Sequence, residues 1–242
     1  MASANSPSVL ISTTHELEEF ISTIADSDTL YLDLEGKSLG RNGSICIVSI
    51  LVHPKHIVRL IDITTLGKDA FTTAGSNGKT LKSILEDDNI MKCIWDCRND
   101  ADALYSLYQV SLAGVTDIQL FENATRTGAK TYLCGLAKAI EWDLQLNWSD
   151  RRRWQDTKKA VTGLMSSDIF AARPMERNTI DYCVNDLVHL PLLLNVYTAR
   201  LEVLSSNWTV RVRDATARRI QDARSEGYEP HSEQKRFGPW GI

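Results

Sequence analysis

The spacing of apolar and polar positions changes character partway along the chain. Val9-Leu10-Ile11 fits a short strand, and Leu17, Phe20, Ile21 and Ile24 then recur at helical spacing behind the helix-starting residues Thr13, Thr14 and Glu16. An apolar run, Thr29–Glu35, predicts a strand, and Gly40-Arg41-Asn42-Gly43 supplies the turn into a second strand over 44–52. Pro54 breaks that strand, and 56–63 predicts a third, so the three form an antiparallel meander. Helices over 66–71 and 80–86 follow, then a strand over 92–95 ending in Asp96, a helix from about 99 to 110, a strand over 115–120 leading into a helix, and a helix over 132–140. Past Arg173-Pro174 an amphipathic pattern predicts one long helix over 176–201, broken or kinked at Pro191, and a last helix starts at Asn207 and stops near Gly227. Three antiparallel strands followed by alternating strands and helices predict an α/β fold with a mixed five-stranded sheet, its later strands parallel, flanked by helices on both faces.

The meander's first strand holds the candidate chemistry. Successive strand residues point to opposite faces, so Asp33 and Glu35 share one face while Leu32 and Leu34 share the other. Two like charges side by side are costly unless a cation or hydrogen bonds offset them; the plain alternative is a strand end hydrated by solvent. Two later stretches bring further acids. Asp96, Asp100 and Asp102 crowd the start of the helix predicted from 99, where capping accounts for one or two acids but less well for three. Tyr182 and Asp186 lie four apart, on one helical face among Ile180, Leu187 and Leu190. A basic cluster, Arg151-Arg152-Arg153 with Lys158-Lys159, reads either as a solvated helix face or as a patch that tracks phosphates.

Taken together, Asp33-x-Glu35, the acidic helix start and Tyr182-x-x-x-Asp186 resemble, in order and spacing, the three motifs of the DEDD exonuclease superfamily. The similarity is to its tyrosine-bearing branch, the RNase D-like 3′–5′ exonuclease domains, and covers roughly residues 8–205. The chain is most similar to fungal and eukaryotic members whose second motif reads Asp-x-Arg-Asn-Asp-x-Asp-Ala-Leu. The resemblance implies an RNase H-like fold, an exonuclease domain over 1–205, and a helical extension with a flexible tail over 206–242. It implies hydrolysis of RNA or DNA from the 3′ end to nucleoside monophosphates by two divalent ions, Mg²⁺ or Mn²⁺. Asp33, Glu35, Asp100 and Asp186 are then the metal-binding acids and Tyr182 orients the attacking water. Asp96 is the alternative to Asp100, and Asp102 points elsewhere. Leu34, Gly36 and Lys37, which flank the acids, are expected to wall the substrate site, and Arg151, Arg152 and Arg153 to grip the strand. The rival reading is a catalytically silent domain of the same family that serves as a nucleic-acid- or protein-binding scaffold; silent relatives lose motif acids, and this chain keeps all five motif residues.

Composition narrows the setting. The 242 residues carry 27 basic and 31 acidic side chains, a balance unlike that of a general DNA-coating protein but compatible with an enzyme that holds nucleic acid through metal ions and a local basic patch. The five cysteines have no framework spacing, and Cys93 and Cys97 lack the further ligands of a zinc site. Reduced thiols in the cytoplasm or nucleus are expected rather than secretion, with no membrane association; no pattern names a protein partner.

Overall fold

The computed structural model describes residues 9–164, 168–204 and 207–241. Strands β1 (Leu10–Ile11), β2 (Thr29–Glu35), β3 (Ile47–His53), β4 (Ile57–Asp62), β5 (Met91–Ile94) and β6 (Val115–Asp117) form one mixed sheet in the order β1-β4-β3-β2-β5-β6. β2, β3 and β4 are the antiparallel meander, and β5 and β6 add in parallel beyond β2. The five expected strands are joined by a sixth, because Leu10 and Ile11 pair in parallel with Leu60 and Ile61 and cover the free edge of β4.

The alternation in β2 divides the core. Leu30, Leu32 and Leu34 are buried under one face with side chains from α1 (Thr14–Ser22), α4 (Leu81–Glu86) and α5 (Arg98–Tyr108). Tyr31 is buried on the other face with residues of α7 (Leu136–Asp143), α8 (Trp148–Thr162), α9 (Arg177–Val188) and α10 (Leu190–Glu202). The first helix starts where Thr13 and Glu16 make a reciprocal cap, each side chain accepting the other's backbone N–H at 3.2 and 3.1 Å.

Aspartates set several boundaries that apolar patterning misplaced. β4 ends at Asp62, whose carboxylate accepts from Thr65 N (3.0 Å) and starts the short α2 (Ile63–Leu66); Gly67, at φ +55°, separates it from α3 (Asp69–Thr72), so the single helix over 66–71 is two short ones. β6 stops at Asp117, which caps Gln119 N (3.1 Å), so residues 118–120 open α6 (Ile118–Thr125) instead of extending the strand. The long helix is interrupted at His189, with Pro191 in the first turn of α10, where its missing N–H costs nothing.

The final helix, α11 (Asn207–Ala223), packs on α5, α6 and β6, and its Ile220 and Ala223 belong to the main core. The segment after it, expected as a flexible tail, runs back over the body. Tyr228 Oη donates to Asn99 Oδ1 (2.8 Å), Arg98 donates to the Lys235 carbonyl (2.9 Å), and Gly238 N donates to the Thr131 carbonyl (2.8 Å). All five cysteines are buried and unbonded to one another. No helix among the described residues is long and apolar enough to cross a membrane.

Candidate active site

β2 pairs with β5 only from Thr29↔Met91 to Leu32↔Ile94, so Asp33, Leu34 and Glu35 project beyond the end of that neighbour while remaining bonded to β3. Here the chain leaving β5 turns at Asp96, which takes the left-handed φ of +63° that Asp tolerates, and enters α5 with Asp100 in its first turn. A crevice beyond the carboxyl ends of parallel strands is where open α/β sheets bind ligands. From the opposite side α9 packs across β2, β3 and β4 and presents Tyr182 and Asp186, both buried.

One carboxylate oxygen each from Asp33, Glu35 and Asp186 lies within 4.8 Å of the other two. Burial and the charge of Asp186 raise the Asp33 carboxyl to about 7. Burial, then repulsion from Asp33, Asp186 and Asp100, pushes Glu35 well above the usual range. Asp100 lies outside that triplet but belongs to the same field: burial first, then the Asp33 charge, raises it strongly. Among the described residues no cationic group stands within 4.0 Å of Asp33, Glu35 or Asp100. One cation enters the group. Lys158 Nζ, from α8, donates to both oxygens of Asp186 (3.2 and 3.1 Å) and to Tyr182 Oη (3.4 Å), and lies 4.8 Å from the centre of the Tyr182 ring. Burial and the neighbouring carboxylates push the Tyr182 phenol upward.

The other two acids of the helix start are fully engaged elsewhere. Asp96 makes a two-bond pair with Arg98 (2.6 and 2.7 Å) and faces Arg219 (3.6 Å). Burial raises its carboxyl, but Arg98 and Arg219 outweigh burial and hold it below the usual range. Asp102 accepts from Arg41 N and Nε (2.7 and 2.8 Å), and Arg41 also donates to the carbonyls of Ala223, Ser225 and Glu226. A third buried acid, Asp117, accepts from Asp96 N and Cys97 N (both 3.2 Å) and pairs with Arg219 at 2.6 Å, holding the turn that aims Asp100.

The three flanking residues differ in their surroundings. The Leu34 side chain is buried in the core on the face away from the acids, because strand alternation sends it there; it is not a wall residue. Gly36 lies so close to the Ser44 carbonyl that a Cβ would collide with it. Lys37 is exposed and pairs with Asp168 at 3.2 Å. The arginine triplet is split by helix geometry. Arg151 precedes Lys158 by seven residues, two turns and about 10 Å along the same flank of α8. Arg152 and Arg153 line a surface cavity of about 450 Å³ with Trp148 and Asn178, and Arg152 pairs with Asp156 (3.6 Å). Sequence patterning missed Lys158, Asp117, Arg219 and Arg41 as parts of the site or its support; Lys158 stood only within a charge run, Arg41 within a turn and Asp117 within a strand, each in a segment similar to the family's, and nothing local marked Arg219.

The donor set fits a hard divalent cation: the converging atoms are all carboxylate oxygens, and their charge is offset by a single ammonium. A profile described as 3′–5′ exonuclease matches residues 8–200. The chain belongs to this exonuclease family. Its fold is that of RNase D. RNase D from Trypanosoma brucei, solved with GMP, superposes with a TM-score of 0.71 at 23% identity, over 89% of this chain and 64% of that one. Escherichia coli RNase D gives 0.62 at 17% identity, over 89% of this chain and 50% of that one. Among curated proteins, the piRNA biogenesis protein EXD1 of Mus musculus is 36% identical over 97 residues, which is 40% of this chain and only 16% of that protein. The match thus spans less than half of this chain and about a sixth of that protein's length.

Proposed function

We propose that this exonuclease-family protein is a metal-dependent 3′–5′ exonuclease that removes nucleoside monophosphates from the 3′ end of a nucleic-acid strand. The observation that carries the reading is the convergence of Asp33, Glu35 and Asp186 within 4.8 Å, with Asp100 in the same field and no arginine assigned to any of them. Two ions, Mg²⁺ or Mn²⁺, would supply an activated water and neutralise charge on the phosphoryl and leaving oxygens. Asp33, Glu35 and Asp186 would hold one ion, and Asp100 would help hold the second. Tyr182, its phenol held protonated by burial and by the acids, serves as a hydrogen-bond donor that orients the attacking water or the scissile phosphate, not as a base. Gly36 keeps the backbone beside the acids tight, and Lys37 and Arg151 are the cations placed to meet phosphates of the incoming strand.

RNA is the favoured polymer, since RNase D from Trypanosoma brucei, of the same fold, has been solved with the RNA U12. Five buried thiols suit a reducing compartment such as cytoplasm or nucleus. The test is a time course on matched RNA and DNA oligonucleotides labelled at the 5′ end, with Mg²⁺ or Mn²⁺. A ladder of products shortening one nucleotide at a time from the 3′ end, lost in Asp33→Ala, is the expected result. Wild type that degrades neither polymer and matches Asp33→Ala would leave the chain a silent binding scaffold.

A further inference from the structure

Lys158 has a place in this site that its position in a charge run does not explain. Its ammonium sits astride Asp186, bonded to both oxygens, while the other basic residues of α8 remain at the surface or pair along their own helix. The Asp186 side chain is 7% exposed and that of Lys158 26%, so the pair is largely shielded from solvent. The same ammonium relieves Asp33 and Glu35, the other two members of the oxygen triplet. A divalent ion binds carboxylate oxygens at about 2.0–2.6 Å. An ion on Asp186 would therefore compete with an ammonium that now engages both oxygens, and the two cations would repel each other across one carboxylate. The faces of Tyr182 and Trp154, with centroids 4.8 and 6.0 Å from Nζ, also attract the ammonium.

We propose that Lys158 is an intramolecular counter-ion of the carboxylate cluster, displaced from Asp186 when a divalent cation binds. It neutralises part of the acid charge in the metal-free protein and sets a threshold for metal loading. The proposal rests on the reading of the cluster as a metal site, and the two fail in different ways. In the competition, the apparent metal affinity is reduced by the fraction of molecules in which the ammonium holds the acid.

The experiment is calorimetric titration of the full chain with Mn²⁺, without substrate, on wild type, Lys158→Met, Lys158→Gln and Asp33→Asn, each also melted in EDTA and in saturating Mn²⁺. Lys158→Met and Lys158→Gln should bind Mn²⁺ more tightly, on the order of tenfold if the ammonium holds the acid about nine-tenths of the time. They should also melt lower than wild type in EDTA and gain more from Mn²⁺. A variant merely damaged in structure would bind metal more weakly, so the direction of the shift separates the two roles. Unchanged or weaker Mn²⁺ binding in either folded variant, with wild-type binding intact and lost in Asp33→Asn, overturns the counter-ion alone. No Mn²⁺ binding by wild type overturns the metal site and the counter-ion together.

Discussion

Two groups of buried and half-buried acids lie side by side around the start of α5, and they are treated in opposite ways. Asp96, Asp102 and Asp117 each have an arginine of their own: Arg98 at 2.6 Å, Arg41 at 2.8 Å and Arg219 at 2.6 Å. Asp33, Glu35, Asp100 and Asp186 have one lysine among four, and it touches only Asp186. Removing a partner from a buried pair is costly because it strands the other charge, so the paired group holds the fold in place. The unpaired group is a standing electrostatic cost that only a ligand of opposite charge removes, and perturbed, clustered acids of this kind mark functional sites. The difference between structure and chemistry here lies in who supplies the countercharge, not in residue type.

The largest effects should separate the groups outright. Asp33→Asn and Asp100→Asn should lower exonuclease rates by about three orders of magnitude or more in single-turnover assays, since each removes an oxygen ligand at the reacting centre. Both should melt higher than wild type in EDTA at pH 8, because each removes a carboxyl group that is costly to ionise beside its neighbours. An Asp100→Asn protein with full activity would transfer the role to Asp96 and blur the contrast. Arg219→Ala should instead cost about 3–5 kcal/mol of unfolding free energy in urea, with activity lost only in proportion to unfolding.

A pH series sharpens the same division. The Asp33 carboxyl is raised in the folded protein to about 7, and Glu35 and Asp100 are raised as well. The folded state thus binds protons more tightly than the unfolded chain. Stability from these groups is present below their ordinary carboxylate range and is lost as pH rises through about 7, by roughly 2–4 kcal/mol. Melts in EDTA between pH 5 and pH 8 should show the fall, and saturating Mn²⁺ should flatten it. A stability curve rising across that interval in EDTA would mean that the paired acids dominate. The smallest effect concerns strand binding. Arg151→Ala should weaken a twenty-nucleotide strand several-fold at low salt and reduce the salt slope by about one, whereas Arg152→Ala, already paired with Asp156, should do less.

The sequence showed β2 to the residue, since its alternation and flanking turn are local signals, and the spacing of Tyr182 and Asp186 placed both on one helical face. Its preference for Asp100 over Asp96 and Asp102 came with the family resemblance and not from local pattern, because what separates the three acids depends on distant partners. Arg41 lies 61 residues from Asp102, and Arg219 lies 102 residues from Asp117. Leu34 was misassigned to the site because adjacency to two acids was weighed above the pleat that turns it away. Likewise the end of β6 was set by a capping carboxylate that apolar periodicity does not register. The packing of residues 228–238 over α5 and the segment at Thr131 has no periodic signature at all: it runs through an isolated tyrosine, a lysine carbonyl and a glycine N–H.

The bond from Arg219 to Asp117 also has a consequence in time. A ribosome delivers all four acids of the cluster before it delivers Arg219, which lies 33 residues beyond Asp186. Until α11 has emerged and docked, Asp117 must hold the Asp96 and Cys97 amides with its own charge uncompensated, and the turn that aims Asp100 lacks its anchor. The nascent chain therefore carries its full set of acids before it can hold them in order, and assembly of the centre waits for a helix made after all four of them.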